Sequence, residues 1–291
     1  MPRQKENYLS PSPVVGILRD WGVLCTLRLK GKHMKLVYST DCEYHIGLKA
    51  SDIGHYVILP GDPARSEKIA QHFSHPHKVG HNREYVTYTG TLCETPVSVM
   101  STGIGGPSTA IGVEELIHLG AHTFIRVGTS GGMQPDILAG TVVIATGAIR
   151  FEGTSKEYAP VEFPAVPDFT VTAALKHAAE DVQVRHALGV VQCKDNFYGQ
   201  HSPHTMPVHA ELTQKWHAWI ACNTLASEME SAALFVLGSV RRVRTGAVLL
   251  VIGNQTRRAQ GLEDIQVHDT ENAIRVAVEA VKLLITQDSP R

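Results

Sequence analysis

The chain has 291 residues, of which 43% are hydrophobic and 19% are charged, a composition that supports a substantial core and excludes a disordered or fibrous protein. Its 27 basic and 28 acidic residues give a formal net charge of −1, so no bulk positive field is present to recruit nucleic acid or an anionic membrane. No apolar run reaches the roughly 18 residues of a membrane span. The five scattered cysteines lack metal-ligand spacing, which favours reduced thiols and a cytoplasmic protein.

Residues 1–43 differ from the rest of the chain because they are basic and poor in acids. Between Val14 and Val37, five arginines and lysines accompany a single acid, Asp20. The segment lacks a clean secretory cleavage pattern, and Met34 offers an internal start. We expect a flexible N-terminal extension over 1–43, with organelle targeting as the alternative, followed by one folded domain over 44–288.

From residue 44 onwards, short apolar segments alternate with segments of helical periodicity. In chain order, strands are predicted at 55–60, 84–91, 97–101, 124–132, 141–149, 186–194 and 246–252. Helices are predicted at about 63–73, 169–181, 228–237 and 268–285, and another is opened by the segment 102–109 and continues through 117; an irregular stretch runs from 195 to about 208. This alternation implies an α/β fold with a mostly parallel sheet, and no internal repeat or linker divides it.

The predicted strand that begins at Phe124 delivers an arginine and then runs into the glycine-rich segment Gly128–Gly132. At the edge of an α/β sheet, such a segment presents backbone N–H groups and hydroxyls to an anion. Arg126 is a charge within an apolar run, which is costly unless something negative meets it. We expect this strand end to bind phosphate; the alternative is that Arg126 pairs with a carboxylate of the core.

Two further arginines, Arg65 and Arg83, lie near predicted strand or turn edges. The planar guanidinium suits phosphate because it makes paired, charge-assisted hydrogen bonds. Taken alone, each of the two is equally compatible with a solvated surface charge. The glycine-rich segment at 103–106 is a weak signal, since it lacks the lysine of a P-loop.

Two glutamates, Glu228 and Glu230, stand at the predicted start of a helix. Residues two apart do not share a helix face, so we expect the two carboxylates to serve different partners, one of them a ligand hydroxyl. The alternative is that both complement the helix dipole. The sequence contains no Ser/His/Asp triad motif, zinc spacing or dinucleotide fingerprint.

Seven motifs together resemble the uridine phosphorylase branch of the nucleoside phosphorylase family, in the same order and over about residues 44–285. They are Gly61–Arg65 (GDPAR), His81–Glu84 (HNRE), Ser101–Ser108 (STGIGGPS), Arg126–Gly131 (RVGTSG), Phe163–Ala165 (FPA), Phe197–Gln200 (FYGQ) and Glu228–Ser231 (EMES). The resemblance implies a single α/β domain built around a mixed, mostly parallel and partly barrel-like sheet flanked by helices.

The resemblance also implies a role for individual residues. Phosphate would be bound by Gly61, Arg65, Arg126 and Thr129, with Arg83 from a partner subunit. The ribose would be bound by Met229 and Glu230, with His45 from the same partner, and the base by Gln200 and Phe197. Arg126, Thr129 and Glu230 would carry the catalysis.

A site shared between subunits implies a homodimer at minimum, and the family's usual assembly is a hexamer of three dimers. In this family a monovalent cation sits at the dimer interface, which would place Glu84, Ser108 and the carbonyl of Ile104 around it. No cofactor is required, and inorganic phosphate is the co-substrate.

The base side departs from the family pattern at Ser202 and Gln255, where bacterial relatives have arginines. Both changes remove positive charge from the place where the departing base becomes negative. Nearby substitutes for that charge are His201, Arg257 and Arg258. Asn254 stands where hexameric purine phosphorylases have a proton-donating aspartate, which favours a pyrimidine base.

The expected reaction is therefore phosphorolysis of uridine, with deoxyuridine and thymidine as further candidates, to the free base and a (deoxy)ribose 1-phosphate. The alternatives are a purine nucleoside phosphorylase or a nucleosidase of the same fold, or a non-catalytic nucleoside-binding protein. The retained arginines speak against a nucleosidase. The presence of Arg126, Thr129 and Glu230 speaks against a silent binding protein.

Overall fold

The computed structural model describes residues 28–29, 32–33 and 42–289, which fall into two units, Met1–Ser39 and Thr40–Arg291. In the first unit, β1 (Arg28–Leu29) pairs in antiparallel fashion with β2 (Lys32–His33). Most of the predicted extension over 1–43 lies outside the described residues, and the boundary at residue 43 stays a prediction.

The second unit contains a nine-stranded sheet. Its strands are β3 (Tyr56–Pro60), β4 (Ser74–Asn82), β5 (Tyr85–Leu92), β6 (Thr95–Met100), β7 (Thr123–Gly132), β8 (Val142–Phe151), β9 (His186–Lys194), β10 (Ala226–Glu228) and β11 (Arg244–Asn254). Their order across the sheet is β10-β9-β8-β11-β7-β3-β6-β5-β4.

An additional antiparallel pairing joins β10 to β7, so that β7, β11, β8, β9 and β10 close into a ring. Within this sheet five pairings are parallel and four are antiparallel. This confirms the expected mixed, partly barrel-like sheet, and the ring brings the carboxyl ends of β7, β10 and β9 close together.

Helices cover both faces of the sheet. They are α1 (Pro63–Ala70), α2 (Gly106–His118), α3 (Thr154–Tyr158), α4 (Phe169–Asp181), α5 (Phe197–His201), α6 (His209–Ala221), α7 (Ser231–Arg241), α8 (Gln255–Ala259) and α9 (Glu271–Asp288), with 3-10 turns at Ala50–Asp52 and Pro203–Thr205. Among the described residues, no helix combines the length and apolar character that crossing a bilayer requires.

Two clusters of buried apolar side chains form the core, one on each face of the sheet. Along β7, Ile125 packs into the cluster that includes α1, α4 and α9, whereas Phe124 packs into the cluster that includes α2 and α7. Successive side chains of a strand point to opposite faces, and a sheet covered on both faces needs continuous apolar strands. Arg126 therefore follows Phe124 onto the face that α7 covers.

Several predicted elements agree closely with the structure, and others do not. The helix at 169–181 and the strand at 186–194 have the predicted bounds, whereas β4 and α6 were not predicted. β4 is mostly exposed and polar, so it carries no alternating apolar pattern. The helix predicted from residue 228 begins only at Ser231, because the preceding residues form β10.

Candidate active site

A cavity of about 1100 Å³ opens where β7, β9 and β10 end. Ten of its lining residues are ones to which the family resemblance gave a role: Gly61, Arg65, Glu84, Ile104, Ser108, Arg126, Thr129, Phe197, Met229 and Glu230. Further lining residues include Lys194, His201, Ser227, Glu228, Arg258, Gln266 and His268. Most of the predicted site residues are therefore assembled in one place by strand ends that are far apart in the sequence.

Arg126 is held at the floor of this cavity by two carboxylates. Its Nε donates to Glu228 Oε2 at 3.0 Å, and its Nη2 pairs with Glu230 Oε2. Its third nitrogen, Nη1, is buried and has no hydrogen-bond partner among the described residues. Two arms of the guanidinium are thus fixed by the protein, and the third is a donor left for a ligand.

The alternative raised in the sequence analysis, that Arg126 pairs with core carboxylates, is observed, and phosphate binding stays a prediction for which the free Nη1 is available. Burial alone would lower the pKa of Arg126, but the Glu230 and Glu228 carboxylates outweigh burial and raise it. The two glutamates share Arg126, and each also has a partner of its own, Gly105 for Glu230 and the start of α7 for Glu228, while the expected ligand hydroxyl stays a prediction. Both precede α7, where the helix-face rule does not apply, and both bind Arg126.

Gly61 keeps the space in front of Arg126 open. A Cβ at this position would lie 3.0 Å from the carbonyl oxygen of Gly103 and 4.0 Å from Arg126 Nη1. A side chain here would crowd the backbone and occupy the room that a ligand of Nη1 needs. The close approach of the Gly103 carbonyl therefore explains the glycine, which also leaves Arg126 Nη1 accessible.

Arg65 brings a second positive charge to the same end of the cavity. It lies in α1, whose start is capped by Asp62, and its Nη1 donates to Val127 O at 3.3 Å. Burial lowers the pKa of Arg65, and the Arg126 charge acts in the same direction, while Asp62 opposes them. Two arginines that repel each other at a cavity wall favour an anion between them.

Glu230 is fixed from two sides. Its Oε1 accepts a 2.5 Å hydrogen bond from the backbone N–H of Gly105, and its Oε2 pairs with Arg126. Gly105 has φ +92°, which L side chains rarely adopt, so the glycine permits this backbone approach. Burial raises the pKa of the Glu230 carboxyl, and Arg126 opposes that shift. Each carboxylate oxygen retains a lone pair for a ligand hydroxyl.

Glu228 organises the segment that carries these residues. It accepts hydrogen bonds from the backbone N–H groups of Glu230 at 2.9 Å and Ser231 at 3.0 Å. These are among the donors that the start of a helix leaves without partners. Glu228 therefore caps α7 while it anchors Arg126, so the helix start and the arginine are positioned together.

Gln200, the predicted base-binding residue, lies outside the main cavity. It lines an adjoining cavity of about 480 Å³ together with Gln255. The Nε2 of Gln200 donates to Gln255 Oε1 at 3.3 Å, and the Nε2 of Gln255 donates to the Gln200 carbonyl at 3.2 Å. Gln255, the position at which the sequence analysis expects an arginine in bacterial relatives, is thus paired with the predicted base-binding glutamine.

The three residues proposed as substitute charges behave differently. His201 and Arg258 line the main cavity, and Arg258 forms an ion pair with Asp264 at 3.2 Å. Arg257 instead donates to backbone carbonyls, including that of Pro135 at 2.7 Å. Burial lowers the pKa of His201, and the neighbouring Lys194 charge lowers it further. Of the three, Arg258 alone is a permanent cation at the cavity wall.

The side-chain amide of Asn254 makes its hydrogen bonds within the protein. Its amide donates to the carbonyls of Gln134 at 2.7 Å and Ile137 at 2.9 Å, and its Oδ1 accepts from the backbone N–H of Arg257 at the start of α8. A buried amide with these partners does not face a base. This supports the view that the proton donor of the purine enzymes is missing here.

Lys194 is a cavity residue that the sequence analysis missed. It ends β9, is only 4% exposed, and its Nζ donates to Ser227 Oγ at 2.6 Å. Burial lowers the pKa of Lys194 to about 8. The signal that could have found it is a charged residue at the end of a predicted strand, which resembles the charge within an apolar run that identified Arg126.

His45 and Arg83 do not line the cavity of their own subunit. His45 Nδ1 lies 2.5 Å from Glu115 Oε1, which fixes the ring. Arg83 is exposed in the turn between β4 and β5, at φ +54°. Neither residue therefore contributes to the site within one subunit.

The comparisons with known proteins agree with this geometry. Residues 55–286 match the family model described as the phosphorylase superfamily. The chain is 42% identical to a uridine phosphorylase of Thermococcus kodakarensis, over 86% of this chain and 89% of that protein. It is 39% identical to a uridine phosphorylase of Escherichia coli (83% and 98%). It is 37% identical to a guanosine phosphorylase of Halorubrum lacusprofundi (82% and 98%).

Proposed function

The chain belongs to the phosphorylase superfamily, and on that premise we propose that its cavity splits the glycosidic bond of uridine with inorganic phosphate. The products are uracil and ribose 1-phosphate, which makes the enzyme a pentosyltransferase. Deoxyuridine and thymidine are the further candidate substrates.

The single observation that carries this proposal is the free Nη1 of Arg126 opposite Gly61. A fixed, buried donor beside a second arginine, Arg65, is suited to a phosphate dianion. In this assignment phosphate lies between the two guanidinium groups, with Gly61 leaving room for it and Thr129 completing the wall of the site.

In the proposed step, a phosphate oxygen forms a bond to the anomeric carbon while the bond from that carbon to the base nitrogen breaks. The electron pair of the broken bond goes to the base, and the base takes up a proton that comes, in the net reaction, from the phosphate hydroxyl. Arg65 and Arg126 hold the nucleophile in place, which converts a collision into a positioned attack. The phosphate charge also stabilises the sugar as it becomes cationic.

We assign the ribose to the segment that holds Met229 and Glu230, both of which line the cavity. Glu230 accepts ribose hydroxyls with the lone pairs that Gly105 and Arg126 leave unused. Because Glu230 also binds Arg126, sugar and phosphate are positioned against the same fixed pair. Phe197 packs against the base on the opposite side of the cavity.

A purine nucleoside is the second candidate substrate, and the adjoining cavity of about 480 Å³ is the observation that favours it. The pair formed by Gln200 and Gln255 lines that cavity and is held by neutral contacts of 3.2 and 3.3 Å. Displacing such a pair would give a larger base room. The internal use of Asn254 argues the other way, so uridine remains the first candidate.

The test is to incubate the protein with uridine, thymidine, inosine or guanosine, with and without phosphate, and to measure the free base and sugar phosphate. We expect release from uridine that requires phosphate. Release without phosphate would identify a nucleosidase. Faster release from a purine nucleoside would overturn the pyrimidine assignment.

We also propose a homodimer in which His45 and Arg83 complete the partner's site, within a hexamer of three dimers. Support comes from the exposure of Arg83 and from the distance of both residues from their own cavity. Mixing the inactive variants Arg83→Ala and Glu230→Gln after unfolding and refolding should restore activity to about a quarter of the wild-type level, since half of randomly formed dimers have one intact site of two. No recovery would contradict a shared site.

Glu84, Ser108 and the Ile104 carbonyl line one edge of the cavity, and Ser108 Oγ lies 2.6 Å from Thr102 O. This hydroxyl and carbonyl set suits a monovalent cation, which we propose as a structural ion between two subunits. No other cofactor is proposed. We place the enzyme in the cytoplasm, in keeping with the free thiols of Cys93, Cys193 and Cys222.

A further inference from the structure

Lys194 places a buried ammonium group between the two cavities, since it lines both of them. Its Nζ donates to Ser227 Oγ, which leaves two of its three N–H donors for other partners. The two glutamates whose charges act on Lys194, Glu228 and Glu230, form their ion pairs with Arg126. Among the described ion pairs, none includes Lys194.

A buried ammonium group without a carboxylate partner disfavours folding. Such a group at the end of an apolar strand is expected where a ligand supplies the opposite charge. Two negative charges occur in the proposed reaction, one on the phosphate and one on the departing base. The position of Lys194 decides between them.

Lys194 lies on the base side of the cavity. It ends β9 three residues before Phe197, and its charge acts on His201. It is joined through Ser227 to Gln200, because Ser227 Oγ also lies 2.6 Å from Gln200 Oε1. The phosphate end already has two arginines of its own.

We propose that Lys194 supplies the positive charge that stabilises the departing base, the charge that Ser202 and Gln255 do not supply. This role rests on the proposed phosphorolysis and extends it. As the bond to the sugar breaks, negative charge appears on the base, and a fixed cation in a low-dielectric site stabilises it more than the neutral ground state.

The hydrogen bond from Lys194 to Ser227 decides which groups donate and which accept in the hydrogen-bond network around Ser227. Because Lys194 donates to Ser227 Oγ, the single hydroxyl proton of Ser227 points to an amide oxygen, that of Gln192 at 2.5 Å or Gln200 at 2.6 Å. When it serves Gln200, the amide oxygen is held by Ser227, and Nε2 donates one of its two N–H groups to Gln255 Oε1 at 3.3 Å and keeps the other for a ligand. Lys194 thereby orients a donor towards the base as well as supplying charge.

The ammonium group of Lys194 also titrates close to neutral pH. The groups that face it are Glu228, Glu230, Cys193 and His201. Burial raises the pKa of the Cys193 thiol well above its usual value and lowers that of His201, so both are neutral above pH 7. With its own pKa lowered to about 8 by burial, Lys194 is cationic below pH 8 and loses its charge as the pH rises through 8.

The first test compares Lys194→Met with the wild type on two nucleosides, uridine and 5-fluorouridine. Uracil needs help to leave, whereas the fluorine withdraws electrons and stabilises the departing anion by itself. We expect kcat/KM for uridine to fall about 100-fold and that for 5-fluorouridine about 10-fold or less. Lys176→Met, at an exposed ion pair with Glu180, is the matched control and should change neither.

The second test follows the ratio of wild-type to Lys194→Met activity as the pH rises from 7 to 9. The ratio cancels the ionisation of phosphate and of the nucleoside, so it reports Lys194 alone. We expect it to fall towards one above pH 8. Lys194→Arg, which cannot lose its charge, should retain part of its activity at pH 9.

The melting temperature separates function from structure. Removing an unpaired buried charge should leave Lys194→Met at least as stable as the wild type. Equal losses on both nucleosides, a pH-independent ratio and a lowered melting temperature would assign Lys194 a structural role and overturn the proposal. A wild type that cleaves no nucleoside with phosphate would instead remove the proposed function, and the role of Lys194 with it.

Discussion

The proposed phosphate end of the main cavity and the proposed base end, which reaches into the adjoining cavity, are built from different kinds of contact. At the phosphate end, Arg126 is bound by two buried carboxylates, and Arg65 stands beside it. At the base end, Gln200 and Gln255 hold each other through neutral contacts longer than 3.0 Å. The first end is fixed by buried ion pairs, whereas at the second small movements can rearrange the amide pair beside the buried ammonium group of Lys194.

This contrast follows from when each charge appears. Phosphate is an anion before, during and after the reaction, so rigid full charges suit it throughout. The base is neutral when bound and becomes negative only as the bond breaks, so strong fixed charges there would act mainly in the transition state. We infer that the phosphate end sets the reaction type and that the base end sets the substrate.

The largest effect is expected from Arg126→Lys, which keeps a charge but removes the fork that serves Glu228, Glu230 and the phosphate. We expect kcat/KM to fall about 1000-fold, or about 4 kcal/mol, with a higher KM for phosphate. Arg241→Lys, at a surface ion pair with Glu114, is the control. Full activity in Arg126→Lys would show that the guanidinium fork of Arg126 is not needed to hold phosphate.

Arg126→Ala would be a poorer test. It leaves two buried carboxylates, Glu228 and Glu230, without their cation, and breaking a buried pair in this way costs about 3–5 kcal/mol of stability. Lost activity in that variant would not separate catalysis from unfolding. A melting curve for each Arg126 variant therefore belongs beside its kinetics.

The next largest effect is expected from Glu230→Gln. The amide cannot accept from both Gly105 N–H and Arg126, because one of its two ends is a donor. We expect kcat to fall about 100-fold through the misplaced ribose and arginine, with a smaller change in the KM for phosphate. Glu180→Gln, an exposed carboxylate paired with Lys176, is the control. A rise in the KM for phosphate as large as the fall in kcat would place Glu230 at the phosphate end.

A smaller effect is expected from Arg65→Met. Arg65 makes only one long hydrogen bond to the protein, at 3.3 Å, so its loss should disturb the fold little. We expect the KM for phosphate to rise about 10-fold and the KM for uridine to change less. A change confined to the uridine KM would contradict the assignment of this end.

Part of the proposed phosphate end could be predicted from local signals, whereas the phosphate roles of Gly61 and Arg65 came only from the family resemblance. An arginine within an apolar strand, glycines after it and an aspartate–proline helix start each have a near-neighbour physical reason. The structure brings Arg126, Gly61 and Arg65 together at the expected strand ends. The helix at 169–181 was predicted for the same reason, from its own periodicity.

The rest depended on contacts that no local pattern contains. The shared binding of Arg126 by Glu228 and Glu230 requires β10 to pair with β7 and α7 to start three residues later than expected. The role of Lys194 becomes visible only when β9 and β10 lie side by side, which places its Nζ against Ser227. The exposed strand β4 had no apolar pattern to reveal it.

The smallest effect, and the sharpest test of the base end, is expected from Gln255→Arg. This change returns the arginine of the bacterial relatives and breaks the amide pair with Gln200. In the wild type we expect uridine kcat/KM to rise only about threefold, because Lys194 already supplies a charge there and a second cation repels it. In Lys194→Met, the same change should recover about 10-fold.

The comparison is a double-mutant cycle, and its coupling carries the conclusion. A larger gain in the Lys194→Met background means that the two residues supply one and the same charge, while Gln255→Leu, which adds no charge, should recover nothing. Equal gains in both backgrounds would mean that Gln255 and Lys194 act on the base independently. In that case the residues of the base end would contribute independently to stabilising the base. The phosphate end would differ, because Arg126 there depends on Glu228 and Glu230.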